Sequence, residues 1–213
     1  MLKKCMLYCF LWACVSTVQA HPHNWIQLNS TFVLDDQARL IGIKQRWEFD
    51  FYYSMIMHAD LLNEFGDELL GLSETATAMI KNLKPYTYFS ELKAHDAVVD
   101  LGMPEKYQLT TTKVDGQLVL VLDMEFDIDQ KIPVEGTRLE WRVFDPTYYI
   151  AMNHETERNI EIVGGNATEC TKQLKFPEPT DEEIDYAQSL DKTQRDTDGL
   201  GQLFAETAFI ECI

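Results

Sequence analysis

Trp25-Ile26-Gln27-Leu28-Asn29-Ser30-Thr31-Phe32-Val33-Leu34, a turn-like Asp35-Asp36-Gln37-Ala38, and then Arg39-Leu40-Ile41-Gly42-Ile43-Lys44-Gln45-Arg46-Trp47-Glu48-Phe49-Asp50 read as the two strands of a hairpin. Side chains along a strand alternate between faces, so the apolar pattern sets the register. With Leu34 opposite Arg39, Ile26 faces Trp47 and Phe32 faces Ile41. One side of the ribbon then carries Ile26, Leu28, Phe32, Ile43, Trp47 and Phe49. The other carries His23, Trp25, Gln27 and Asn29 with Lys44, Arg46, Glu48 and Asp50, and His23 lies across from Asp50.

Downstream, residues 51–65 and 73–83 have helical spacing, the second with Ser73 as N-cap and Pro85 just beyond its end. Residues 86–101 return to extended structure. A second hairpin joins 107–114 to 118–126 through Asp115-Gly116, the strongest short hairpin signal in the chain. Residues 138–144, 160–163 and 168–176 supply further short strands. The expected fold is α+β, mainly antiparallel β and sandwich-like, with a helical insertion after the first hairpin. Residues 177–199 turn acidic and polar, read either as a solvated linker or as a short helix over 180–190 capped by Thr180. Residues 200–212 regain apolar character and are expected to dock back on the body.

Upstream, Lys3 and Lys4 precede an apolar run from Met6 to Val18, the layout of a signal peptide, and Val18-Gln19-Ala20 offers small residues for cleavage after Ala20. Leu11-Trp12-Ala13-Cys14 is a rival lipoprotein box in which Cys14 would be lipidated, with Trp12 standing where a small residue is usual. Cleavage leaves residues 21–213 as one periplasmic domain, with no other segment long and apolar enough for insertion into a membrane. The leader removes two lysines and no acid, leaving 16 Lys+Arg against 35 Asp+Glu, a net charge of −19. Such a surface argues against nucleic acid or an anionic membrane as partner. Cys5, Cys9 and Cys14 leave with the leader, so Cys170 and Cys212 remain, an even pair that reads as a disulfide in an exported protein. The competing reading is a soft metal site.

Candidate chemistry begins at His21-Pro22-His23. Cleavage frees an α-amino group beside the His21 imidazole, so amine and ring can chelate one ion. His23, two residues on, puts its ring on the same face of an extended segment, and Asp50 is the third candidate, as ligand or as a carboxylate orienting a ring. Pro22 has no amide proton to lose, which blocks the square-planar copper or nickel site built on deprotonated backbone amides. A mature terminal histidine also resembles the copper brace of oxidative polysaccharide enzymes, which needs an open substrate face. His58, among methionines in a helical run, and His95, followed by Asp96, are further candidates; His154 beside Glu155 ranks below them. No Cys-x-x-Cys, nucleophile elbow, phosphate loop or metalloprotease helix motif is present, and the chain is read as no enzyme.

Several stretches match a known pattern together: Ala20-His21-Pro22-His23 with Trp25, Trp47-Glu48-Phe49-Asp50, Asn82-Leu83 with Tyr88-Phe89, and Phe144-Asp145-Pro146-Thr147-Tyr148-Tyr149. Glu169-Cys170-Thr171 and the run from Gly201 through Phe204-Ala205 to Cys212 complete it. In order and spacing they resemble the periplasmic domain of unknown function family 1007, labelled an ABC-type transport system periplasmic component. Members stand alongside nickel, cobalt or zinc transport systems. The resemblance implies delivery or sensing of a divalent transition metal ion, with His21 and His23 as ligands, Asp50 as a third, and Asp145 as a ligand or, more simply, the cap of a tight turn before Pro146. Imidazole and amine suit zinc, nickel, cobalt and copper alike. The expected partner is a membrane metal transporter or permease; the alternatives are an interaction subunit of a transport complex that binds no metal and a metalloenzyme with a histidine terminus.

Overall fold

β1 (Asn24–Leu34) and β2 (Arg39–Phe49) form the expected antiparallel hairpin in the computed structural model, which describes residues 22–165, 167–190 and 199–212. The expected leader and His21 lie outside these. The register differs from expectation by two residues: Ile26 pairs with Phe49, Leu28 with Trp47 and Phe32 with Ile43. Two steps add up to this shift: at the turn Leu34 pairs with Leu40 in place of Arg39, and a bulge then pairs Val33 with Gly42, leaving Ile41 as an extra residue in β2. A shift of two keeps each side chain on its face, so all six residues assigned to the apolar side are buried. Asp35 clamps the turn. One carboxylate oxygen accepts from the N–H groups of Gln37 and Arg39, the other from the Arg39 guanidinium at 2.6 Å, which holds its pKa at about 2.

Asp50 then starts α1 (Phe51–Phe65), and Gly66, at φ +68°, ends it by donating to the Leu62 carbonyl. α2 (Glu68–Leu83) begins at Asp67, whose side chain accepts from Leu70 N–H, rather than at Ser73. The longer helix contains Gly71, where a Cβ would stand 2.8 Å from Leu61 Cδ1, so the glycine serves the packing of α2 on α1. Pro85 opens a short 3-10 turn in place of extended chain, and Thr87, Tyr88 and Phe89 follow with φ of +52°, +56° and +56°. This left-handed turn buries Tyr88 against Phe126. β3 (Ser90–Ala94) and β4 (Ala97–Val99) form a small hairpin. β5 (Lys106–Val114) and β6 (Gln117–Pro133) form the second expected hairpin, with Asp115 and Gly116 both at positive φ.

β7 (Leu139–Val143), β8 (Ile150–Asn153), β9 (Ile160–Val163) and β10 (Cys170–Lys175) follow, and β11 (Thr207–Cys212) closes the chain. One sheet has the order β5-β6-β2-β1-β8, with β9 also on β1; the other runs β10-β11-β7-β3-β4. Only the contacts of β1 with β8 and β9 are parallel among the named strand pairs. The fold is α+β with two mostly antiparallel sheets, and their facing sides share one core: Phe32 meets Trp141 edge-on at 6.0 Å, and Trp47 stacks on Phe89. Leu61, Leu72, Ala76 and Ile80 bring α1 and α2 into that core beside β5 and β6. No helix among the described residues is long and apolar enough to cross a membrane.

Within the acidic stretch, the short helix read as one of its two options is present. Thr180 and Glu183 form a reciprocal capping box at the start of α3 (Asp181–Ser189), whose Ala187 packs with Leu190, Leu200, Tyr148 and Phe204 in a satellite core. α4 (Leu200–Leu203) leads from there into β11.

Candidate functional site

The first described residues extend β1 along β8. Asn24 and Trp25 pair with Ile150 and Ala151, and one step earlier His23 donates its N–H to the Tyr149 carbonyl at 2.9 Å. The His23 ring lies against the Tyr149 ring, centroids 4.8 Å apart and planes tilted by 47°. Tyr149 is itself set by the loop before β8. Asp145, 5% exposed, accepts from the N–H and hydroxyl of Thr147 and from the N–H of Ile150. The turn role expected of Asp145 is therefore the one its side chain performs, and it reaches His23 through Tyr149. Gly201 seals the loop from outside by donating to the Pro146 carbonyl, at a position where a Cβ would meet Asp145 O at 1.9 Å.

Asp50 stands opposite Trp25 rather than His23, a consequence of the one-residue shift at the turn together with the bulge at Ile41. Its Oδ1 accepts from Tyr53 N–H at 2.9 Å, capping α1, and its Oδ2 accepts from Trp25 N–H at 3.2 Å. Burial, with the Asp50 carboxylate nearby, pushes the Tyr53 hydroxyl above its ordinary pKa. Asp50 thus ties the start of α1 to the start of β1, two residues from His23.

The other candidate histidines lie apart. His58 on α1 shares a 3.0 Å hydrogen bond with Glu68 of α2. His95 is exposed at the left-handed turn between β3 and β4, at φ +47°. Among the described residues no three of His, Cys, Asp and Glu come together in a way that could hold a metal ion. His21 lies outside them, so His23 is the described member of the terminal pair. Cys170 and Cys212 face each other on β10 and β11 and form the expected disulfide.

The histidine ranked lowest is the most deeply placed of the described ones. His154 is 2% exposed, with Nε2 2.9 Å from Ser30 Oγ and Nδ1 3.3 Å from Glu206 Oε2. Ser30 Oγ accepts from the Trp141 indole N–H at 3.0 Å, and Glu206 accepts from the His154 backbone N–H at 2.7 Å. Serine, histidine and carboxylate follow the hydrogen-bond order of a hydrolytic triad. Ser30 is fully buried, however, and its oxygen is occupied by Trp141, so this arrangement joins β1 and β7 across the core and leaves no room for a substrate at Oγ. Beside it, Gln45 donates to Ser90 on β3 and accepts from the Trp47 indole, a second polar link between the sheets. The signal was present in the hairpin: Ser30 and Gln45 pair with each other and are the two buried polar residues on its apolar side.

Residues 6–212 match the family described as protein of unknown function DUF1007. The chain belongs to this family. A relative, an uncharacterized protein of Haemophilus influenzae, is 27% identical over 208 residues, covering 92% of each chain. No solved structure matches. The DUF1007 match spans both sheets, the helical insertion and the disulfide, so the whole described fold is one family unit.

Proposed function

We propose that this protein is an exported, non-catalytic carrier that binds a divalent transition metal ion at its processed amino terminus and delivers it to a membrane transport system in the periplasm. Zinc, nickel, cobalt and copper all suit the donors, which are the free amine and ring of His21 and the ring of His23, with Pro22 blocking the square-planar arrangement that needs two deprotonated backbone amides. The observation that supports this reading is the seat of His23. Its hydrogen bond to Tyr149 and its ring contact hold it at the end of β1, leaving only His21 and Pro22 ahead of it once the leader is removed. A tail so short, tethered at one ligand, has little freedom to lose when an ion closes the chelate. Asp50 contributes by fixing Trp25, from which this segment extends. Ligands drawn from one terminus leave coordination positions open to a receiving protein, as transfer by ligand exchange requires.

Binding at an amine and two imidazoles displaces protons from them. Titration of each ion into the chain beginning at His21, with proton release followed near pH 7, tests the reading. Saturable binding with proton release is expected. Absence of saturable binding for all four ions would contradict it.

A further inference from the structure

α1 is apolar on two sides. Its inner side buries Ser54 and Leu61, with Met57 and Phe65 partly buried against the core. Tyr52, Met55, Ile56, Ala59 and Leu62 recur at the three- and four-residue spacing that aligns them along one side of a helix, away from Leu61. That side is open: Tyr52 is 72% exposed, Ile56 58% and Met55 47%. Leu69 and Leu70, in the first turn of α2, carry exposed apolar surface to the tip of the helical hairpin. A helix that only covered the sheet would present polar residues here, and a continuous apolar stripe on the surface marks a contact.

The charges around the stripe define what it contacts. Residues 51–80 include Asp60, Glu64, Asp67, Glu68 and Glu74 and no lysine or arginine; the first cation is Lys81. Asp60 and Glu64 are exposed on α1 itself. Pairing of this face with its own copy would oppose carboxylate to carboxylate in a chain of net charge −17, and an anionic lipid surface would be repelled in the same way. An element with apolar side chains flanked by lysine or arginine satisfies both the stripe and its acidic margin.

We infer that the exposed face of α1 between Tyr52 and Leu62, continued by Leu69 and Leu70, is a docking surface for a basic amphipathic helix of a partner protein. The inference rests on the delivery reading only in naming where a transport protein would meet the carrier, and it is tested without metal so that the two stand or fall separately. The probe is a synthetic amphipathic helix with leucine on one face and lysine on its flanks, titrated into the metal-free chain beginning at His21 at physiological salt. The Tyr52→Ser/Ile56→Ser double variant leaves the charge unchanged, and Val98→Ser, at an exposed residue on β4, serves as control.

The double variant is expected to weaken peptide binding at least about ten-fold while keeping its melting temperature and its metal binding, and Val98→Ser to leave peptide binding unchanged. Asp60→Asn/Glu64→Gln is expected to weaken binding and flatten its salt dependence. Equal peptide affinity of wild type and the Tyr52→Ser/Ile56→Ser variant would reduce the effect to bulk charge attraction and overturn the proposal. A dimer in sedimentation that this variant abolishes would assign the face to a second copy, and variant-sensitive binding to phosphatidylcholine vesicles would assign it to lipid; either result also overturns it.

Discussion

Ser30 Oγ and His154 Nε2 stand 2.9 Å apart in the core, 124 residues apart in the chain, and the same oxygen holds the Trp141 indole. Two buried polar groups thus depend on one hydroxyl. Ser30→Ala removes the partner of both the Trp141 N–H and the His154 ring while leaving them buried, and each orphaned group costs about 1–3 kcal/mol. Urea unfolding is expected to show a loss of about 3 kcal/mol in total. Wild-type stability in this variant would show that the network does not join the sheets.

Gly201 is expected to tolerate no side chain. Its Cβ would stand 1.9 Å from Asp145 O, which is backbone and can move only with the loop that positions Tyr149. Gly201→Ala should therefore destabilise the fold by about 1–3 kcal/mol, as overpacked sites do, and disturb the Tyr149 ring. Thermal unfolding reads the first effect and the tyrosine ring resonances the second.

The Asp35 carboxyl is held at about 2, below the ordinary aspartate range, chiefly by its hydrogen bond from Arg39. A depressed pKa stabilises the folded state above the unfolded value and loses that contribution as pH falls through the folded one. Stability from this clamp should fade between about pH 4 and pH 2. Asp35→Asn should be less stable than wild type at neutral pH and show a smaller drop across that window, measured by denaturant unfolding at successive pH values.

Reduction of the Cys170–Cys212 disulfide opens a closure of 42 residues that includes α3, α4 and the acidic stretch. Chain-entropy arguments assign it about 4 kcal/mol. Cys170→Ser/Cys212→Ser should unfold at lower urea than the oxidised wild type, and reductant should change the wild type alone.

The core face of the first hairpin was legible because a period of two survives a register shift of two, so Ile26, Leu28 and Trp47 kept their burial although their partners changed. The pairing of Asp50 was not legible, since it depends on Ile41 bulging, and alternation alone does not reveal an extra residue. β8 is four residues long and borrows its place from β1, leaving too short a pattern to read. The burial and partners of His154 were not legible because Ser30 and Glu206 lie 124 and 52 residues away. The disulfide was legible from counting: two cysteines lie beyond the expected leader, and they close a β10–β11 pair.

The central claim is that the processed terminus binds the ion. Its most direct measurement is competition titration of zinc, nickel, cobalt and copper into the chain beginning at His21, compared with His23→Ala and with a chain carrying one extra residue before His21. The extra residue leaves both rings in place and moves the α-amine away from the His21 ring, so it isolates the amine. Tight binding of one ion that both variants lose is the predicted result. Equal affinity in all three proteins would remove the terminus from metal binding and contradict the account.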